Sequence, residues 1–264
     1  MKKVLLQCSI ILLPALIGIF YPIQKIFYGL LSLLTIDVTK FDEILKSIIS
    51  NERIISIICG IIFSILIYIW RTKANKDKQF NTADKYNKYP IWVFWLASKG
   101  LGYGKVSLVR VPIYLQYKLL LKDTFHETLV DEVEEKVLPV VLTERNMDHD
   151  SKELNLVLID TYNITDEQIP SDKIQLPTII IKSGNEIDSN RSFNPEFIKE
   201  IRKKTHALSK NYIQLNVFST TNTNHNTSIV NKCFKNGGRT GFKNVYVYQA
   251  SRSNHVFNDS YKVL

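Results

Sequence analysis

The chain has 264 residues, a formal net charge of +9 and 45% hydrophobic residues. This length holds one or two domains. Its three cysteines, Cys8, Cys59 and Cys233, exclude a disulfide framework and show no metal-ligand spacing. The average conceals an asymmetry: the residues up to about position 71 are very apolar, and the rest reads as a soluble domain.

The first apolar run, Val4 to Tyr21, is VLLQCSIILLPALIGIFY, and the second, Ile54 to Trp70, is IISIICGIIFSILIYIW; neither carries a formal charge. Each is close to the ~17–25 residues that cross a bilayer as a helix. Lys2 and Lys3 before the first run also fit a secretory signal. However, no small-residue cleavage pattern follows, and Phe20-Tyr21-Pro22 suits a membrane interface, so the run is expected to remain as a span. The stretch Ile26 to Ile36 either extends a tilted first helix or lies at the interface.

Basic residues set the expected orientation. Lys2 and Lys3 precede the first span, and Arg71, Lys73, Lys76, Lys78, Lys85 and Lys88 follow the second, whereas the connector from Asp37 to Arg53 mixes both signs. The positive-inside rule then places both termini in the cytoplasm of a multi-pass protein of the cell inner membrane. Cysteines within apolar runs fit a reducing cytosolic side.

The expected organisation is a two-helix membrane region over 1–71, a basic linker and connector over 72–105, and a cytosolic α/β domain over 106–264. Within the connector, GLGYG (Leu101 to Gly104 after Gly100) lacks the strand–turn–helix setting of a dinucleotide fingerprint. KVSLVRVPIYL reads as a strand after it, so a turn is expected. The segment DTFHETLVDEVEEKVLPVVL places Phe125, Leu129, Val133 and Val137 at fourfold spacing and predicts an amphipathic helix. Its carboxylates read as a solvated face. His149 between Asp148 and Asp150 reads as a loop, since nothing supplies three converging metal ligands.

From Glu153 onward strands and helices alternate. ELNLVLIDTYNIT, LPTIIIK, YIQLNVFSTT and NVYVYQA read as strands. NPEFIKEIRKKTHALSKN reads as a helix capped by Asn194, with Pro195 at its first position and Phe197, Ile198, Ile201 and Leu208 as its stripe. NTSIVNKCFKNGG reads as a helix of about two turns, stopped by Gly237 and Gly238. The pattern predicts a mainly parallel sheet in an α/β, Rossmann-like layer structure behind two N-terminal transmembrane helices.

Ligands of open parallel sheets sit beyond the carboxyl ends of the strands. Three such ends are polar: Asp160 to Asn163, Lys182 to Asn185, and Ser219 to Thr223. The last precedes a helix N-terminus, which favours an anion. The candidate ligand-binding residues are Thr161, Asn163, Lys182, Ser219, Thr220, Thr221 and Asn222. Ordinary caps and turns use the same residue types. Tyr162, Tyr246 and Tyr248 are placed to stack on bases, and core packing explains the last two as well.

ELNLVLIDTYNIT, then NYIQLNVFSTTNTNHNTSIVNKCFKNGGRTGFKNVYVYQ, resembles the SAVED domain, a fusion of two CARF-like Rossmann units found in bacterial antiphage (CBASS) signalling. The resemblance covers roughly Leu154 to Ala250. It departs where Thr220 to Asn226 stands in place of a Pro-Ala-Ser-like stretch, and the soluble region is short for two full units. With two spans in front, the chain looks like the transmembrane SAVED effectors of CBASS. The resemblance implies recognition of a cyclic oligonucleotide made by a partner nucleotidyltransferase, homo-oligomerisation, and damage to the inner membrane that ends in abortive infection.

No activated nucleophile, acid/base pair, cofactor motif or DNA-binding motif stands out, so a non-enzyme without cofactor or DNA partner is expected. A membrane-anchored α/β enzyme acting on nucleotides or sugars and a membrane scaffold are the competing readings.

Overall fold

The computed structural model describes residues 2–33, 38–49, 51–184, 191–235, 241–251 and 254–264. The chain divides into two compact units, Met1–Phe80 with Trp92–Lys105, and Asn81–Ile91 with Val106–Leu264.

The first unit contains helices α1 (Lys2–Phe20), α2 (Gln24–Leu33), α3 (Val38–Ile48), α4 (Glu52–Asn75) and α5 (Ile91–Trp95). α1 and α4 are long and apolar enough to cross a membrane. Their contact is built on small residues, as helix pairing in lipid requires. A Cβ on Gly18 would lie 2.7 Å from the Ser56 carbonyl oxygen, and one on Gly60 would lie 2.6 Å from that of Pro14. Serines supply the polar contacts: Ala15 N–H, beside the ladder-breaking Pro14, donates to Ser64 Oγ at 3.1 Å. Ser56 Oγ donates to Tyr21 O at 2.7 Å and accepts from Ile23 N–H at 3.0 Å, which closes the turn into α2.

At the other end of this pair, Gln7 Nε2 donates to the Tyr103 hydroxyl at 2.8 Å, and Asn75 Nδ2 donates to Gln7 Oε1 at 3.2 Å and to Leu101 O at 2.8 Å. The GLGYG turn packs on the end of α4. Gly102 has φ +76°, and its Cβ position lies 2.8 Å from the Thr72 carbonyl oxygen, so a side chain is excluded both by conformation and by space. The apolar stretch after the first span is a separate helix up to Leu33; its remaining residues, 34–36, lie outside the described ones.

The second unit holds a six-stranded sheet in the order β3-β5-β4-β6-β7-β8. The strands are β3 (Val140–Arg145), β4 (Glu153–Ile159), β5 (Thr178–Ser183), β6 (Gln214–Ser219), β7 (Asn244–Gln249) and β8 (Asp259–Lys262); β1 (Lys105–Ser107) and β2 (Glu127–Leu129) form a separate pair. β5, β4, β6 and β7 run parallel, and β3 and β8 flank them antiparallel. Helices α6 (Ile113–Leu121), α8 (Pro195–Leu208) and α9 (Thr223–Ile229) cover one face. On the other face Val157, Ile159, Phe218, Tyr248 and Phe257 pack with Ile169 and Ile174, Ile174 being the last residue of the short helix α7 (Ser171–Ile174).

The four strands and α8 fall where expected, with Phe197, Ile198 and Ile201 buried and Asn194 Oδ1 accepting from Glu196 N–H. The second expected helix is α9 and continues as a π-helical turn over Val230–Phe234; Gly237 and Gly238 lie outside the described residues.

Two elements differ from expectation. KVSLVRVPIYL is a strand only to Ser107, and after Pro112 the chain forms α6. That helix buries Tyr114, Leu115, Tyr117, Leu119 and Leu120; burial almost all round erases the helical period from the sequence. The segment with Phe125, Leu129, Val133 and Val137 is not a helix. It is β2 followed by an extended stretch, because Lys136 N–H donates to Phe193 O (2.9 Å) and Phe193 N–H donates to Glu134 O (2.8 Å). Val137 is 71% exposed. Long-range backbone pairing overrides local periodicity here.

Candidate ligand-binding edge

The order β5-β4-β6 means that the chain leaves β4 to one side and returns on the other. This reversal is a topological switch point, where the loops beyond two neighbouring strands diverge and leave room for a ligand. It brings Lys182, Thr161, Asn163 and the run Ser219 to Asn222 to one edge of the sheet. Lys182 stands in register with Ile159, and Ser219 with Leu158.

The loops at this edge are stitched together. Thr161 Oγ1 donates to Thr220 O at 2.5 Å, and Thr220 Oγ1 donates to Tyr162 O at 2.8 Å. Ser219 Oγ and Thr221 Oγ1 are 2.5 Å apart, and Thr221 Oγ1 donates to Asn226 Oδ1 at 2.5 Å. Asn222 is the N-cap of α9, its Oδ1 accepting from His225 N–H at 2.9 Å, while its Nδ2 donates to Ser192 O at 2.9 Å. Ser219, Thr220, Thr221 and Asn222 are all buried. Their polar groups are satisfied within the protein, as burial demands.

At the centre stand Asp160 and His225, which residue patterns alone did not single out. His225 is fully buried between the rings of Phe193 and Phe197, both with centroids 5.2 Å away. Its Nε2 accepts from Asn194 N–H at 2.8 Å, so the ring proton sits on Nδ1 and is donated to Asp160 Oδ2 at 2.7 Å. The same carboxylate oxygen accepts from Asn222 N–H at 3.1 Å. One hydrogen-bonded unit thus joins the end of β4, the loop after β6 and the N-terminus of α8. The available signal was His225 three residues after a capping Asn.

Outside this network Tyr162 and Asn163 are exposed and Lys182 is half-buried. Tyr162 lies 5.8 Å from the His255 ring, and partial burial raises its hydroxyl above the ordinary tyrosine value. Tyr248 instead belongs to the core, stacked on Phe218 at 4.5 Å. Among the described residues no group of three or more His, Cys, Asp or Glu is placed to hold a metal ion.

The arrangement defines a class: two candidate membrane helices joined in one chain to a Rossmann-like α/β unit with a switch-point edge. The description of the SMODS- and Ubiquitin system-associated 2TM effector domain matches residues 1–264, and the chain belongs to that family. It is thus a membrane-anchored two-helix effector domain. Comparison with curated proteins finds no match.

Among solved structures, the chain is similar to the Acinetobacter baumannii Cap4 SAVED/CARF-domain containing receptor with the cyclic trinucleotide 2'3'3'-cAAA (12% identity, 69% of this chain, 43% of that chain, TM-score 0.44). The same receptor with 3'3'3'-cAAA gives 10% identity, 64% and 41% coverage and a TM-score of 0.44. The Moraxella osloensis Cap4 receptor gives 15% identity, 72% and 43% coverage and a TM-score of 0.38. The chain spans less than half the length of these proteins.

Proposed function

We propose that this chain is a ligand-gated membrane effector of an antiviral (CBASS-type) defence system. A cyclic oligonucleotide, made by a partner nucleotidyltransferase, binds the α/β unit in the cytoplasm. Binding favours homo-oligomers, and the helices of the assembled chains disrupt the inner membrane and cause abortive infection. The observation that carries this reading is the union, in one chain of the 2TM effector family, of two candidate spans and a switch-point edge. The net charge of +9 suits a polyanionic ligand. A ligand drives such assembly only through higher affinity for the assembled state.

In this reading the seven candidate residues divide their roles. Lys182, Thr161 and Asn163 meet the ligand, Lys182 by charge to a phosphate, and exposed Tyr162 stacks on a base. Ser219, Thr220, Thr221 and Asn222 hold the loop that faces them. The chain acts by assembly rather than turnover and uses no cofactor.

The test is a thermal-shift screen of the full chain in detergent against cyclic di- and trinucleotides. Lys182→Ala is expected to weaken binding more than tenfold, consistent with ~1.5–3 kcal/mol for a charged hydrogen bond. Turnover of a nucleotide or sugar without membrane damage would favour an anchored enzyme instead. Reporter fusions at Leu264 are expected to be active only in the cytoplasm, with both termini inside; a periplasmic carboxyl terminus overturns the cytosolic sensor.

A further inference from the structure

Beyond the apolar part of α4 the chain folds back onto the helical unit. The uncharged run of α4 closes at Trp70, whose ring lies under the Arg71 guanidinium at 5.6 Å. Thr72 stands two residues further, about 3 Å along the helix axis. The turn Leu101 to Gly104 packs at that level. Gly102 meets the Thr72 backbone, the Cβ position of Gly104 falls on the Lys76 carbonyl oxygen, and Asn75 Nδ2 donates to Leu101 O at 2.8 Å. Lys3 of α1 places its Nζ 5.2 Å above the Tyr103 ring, and Phe80 N–H donates to Lys105 O at 2.9 Å.

The helical stretch before this turn, α5 continued by the π-helical turn Leu96–Gly100, is locked to it. The N–H groups of Leu101, Gly102 and Tyr103 donate to the carbonyls of Leu96, Ser98 and Ala97 at 2.9, 3.1 and 3.0 Å. Phe80 packs edge-on against both Phe94 and Tyr103, with centroids 5.6 Å away in each case. Val93, Phe94 and Ala97 are fully buried, whereas Trp92 is 50% and Trp95 58% exposed. Exposed Lys99 continues their stripe, since the three stand at i, i+3 and i+7. An indole is an apolar body with one polar tip, and it suits the boundary where hydrocarbon meets water.

The charge around this stripe has one sign. Residues 71–80 and 92–105 hold six Lys and Arg against one carboxylate, Asp77, and Lys73, Lys76 and Lys99 are exposed. We propose that α5 and its π-helical turn form an interfacial collar that binds the anionic phospholipid headgroups of the leaflet in which α4 ends. Trp92 and Trp95 enter the headgroup layer, and Lys73, Lys76 and Lys99 meet lipid phosphates. Continuity with α4 argues for this occupant: the Gly102 contact lies about 3 Å beyond the apolar run, and the headgroup layer is about 5–7 Å deep on each side. The charge argues for its sign, because each lysine near an anionic surface raises affinity by about fivefold. The proposal rests on membrane anchoring by the two-helix unit and not on the effector reading.

The protein has three tryptophans, Trp70, Trp92 and Trp95, so the full-length Trp70→Phe variant reports on the collar alone. Trp70→Tyr provides a second background should the first fail to insert. Each is reconstituted in vesicles of phosphatidylcholine and phosphatidylglycerol in equal amounts. Lipids brominated near the headgroup end of the acyl chain are expected to quench the fluorescence at least about threefold more than lipids brominated near the chain end, as interfacial indoles require. Fluorescence untouched by either brominated lipid overturns the collar. Acrylamide then tells whether the indoles face water or pack against protein. Stronger quenching from the chain end overturns the collar as well.

Headgroup choice is read in the same vesicles by brominating one lipid at a time. Brominated phosphatidylglycerol is expected to give a relative binding constant at least about threefold above that of brominated phosphatidylcholine at low salt, and salt should reduce the difference. Lys73→Gln with Lys76→Gln and Lys99→Gln should bring the ratio near unity while the depth of the indoles is kept. Equal constants before the lysines are changed, or a ratio that the triple variant leaves unaltered, overturn the recognition of anionic lipid. Neither measurement calls on a nucleotide or on membrane damage, so the effector reading stands or falls separately.

Discussion

The two units of this chain solve opposite packing problems. On α1 and α4 many apolar side chains point outward: Leu5, Leu12, Leu16, Ile61 and Ile65 are all exposed, while Gln7, Ser56, Ser64 and Asn75 are buried. In the α/β unit Leu156, Leu158, Ile179, Val217 and Val247 fill the interior instead. Lipid offers apolar residues no gain from burial between helices, so small residues and hydrogen bonds hold α1 and α4 together. Water rewards burial, so the sheet is held by its apolar core. The same kind of residue therefore carries very different weight in the two places.

A matched pair of truncations tests this most severely. Phe218→Ala, in the core, is expected to cost about 3–5 kcal/mol in the α/β unit, whereas Leu12→Ala on α1 is expected to change stability by less than about 0.5 kcal/mol. Chemical denaturation in detergent, followed by hydrogen exchange in each unit, measures both. Equal losses would mean that α1 is packed inside protein rather than against lipid.

Enlarging small residues reverses the ranking. Gly60→Val places a side chain on the Pro14 carbonyl and is expected to cost about 1–3 kcal/mol, read as lost cysteine cross-linking between α1 and α4. An α1–α4 contact that survives it would show that the helices do not depend on close approach.

Capping effects come next. Asn222→Ala removes the α9 cap and the bond to Ser192 O, and is expected to cost about 1–2 kcal/mol. Ser64→Ala removes the partner of Ala15 N–H and is expected to cost only about 0.6 kcal/mol, as measured interhelical hydrogen bonds in membranes average.

The smallest effect is a pH dependence at the opposite end of the strands. Burial acts to raise the Glu153 carboxyl, but its bonds from Lys173 at 2.9 Å and Asn216 at 3.1 Å outweigh it and hold it below the ordinary glutamate value. A depressed carboxylate stabilises the fold above its unfolded value, and this is lost as pH falls through the folded value. Glu153→Gln should therefore lower stability at pH 7 and leave it nearly unchanged at pH 3. With Glu153 partly exposed, solvent screening keeps the difference small.

The strands of the sheet were legible because continuous apolar runs bounded by polar groups have one economical reading. The candidate spans were legible for the same reason. α6 was not, since a helix buried on nearly every side has no period to display. The stretch from Phe125 to Val137 had a helical period and no helix, because its backbone is claimed by Phe193 far along the chain. At the candidate edge, the polar run Ser219 to Asn222 was visible as a group beyond a strand. That these residues bond chiefly to one another and to Asp160, Asn226 and Ser192 was not, because each partner arrives from a different segment. His225 shows the limit most clearly: in sequence it is one polar residue among many, and only the fold sets it between two phenylalanines and a carboxylate.

The strand order also bears on synthesis. Both candidate spans are complete by Asn75, whereas β4 has no β6 beside it until Ser219 is made, and β7 ends only at Gln249. A ribosome working from the amino terminus therefore delivers both spans long before the sheet can close. A chain cut short between Lys105 and Asn244 carries the complete helical unit and an unfinished sheet. In the effector reading, such a fragment has the membrane machinery without its control. Expression of carboxyl-terminal truncations would show whether the helical unit is harmless by itself or is restrained only by the finished sheet.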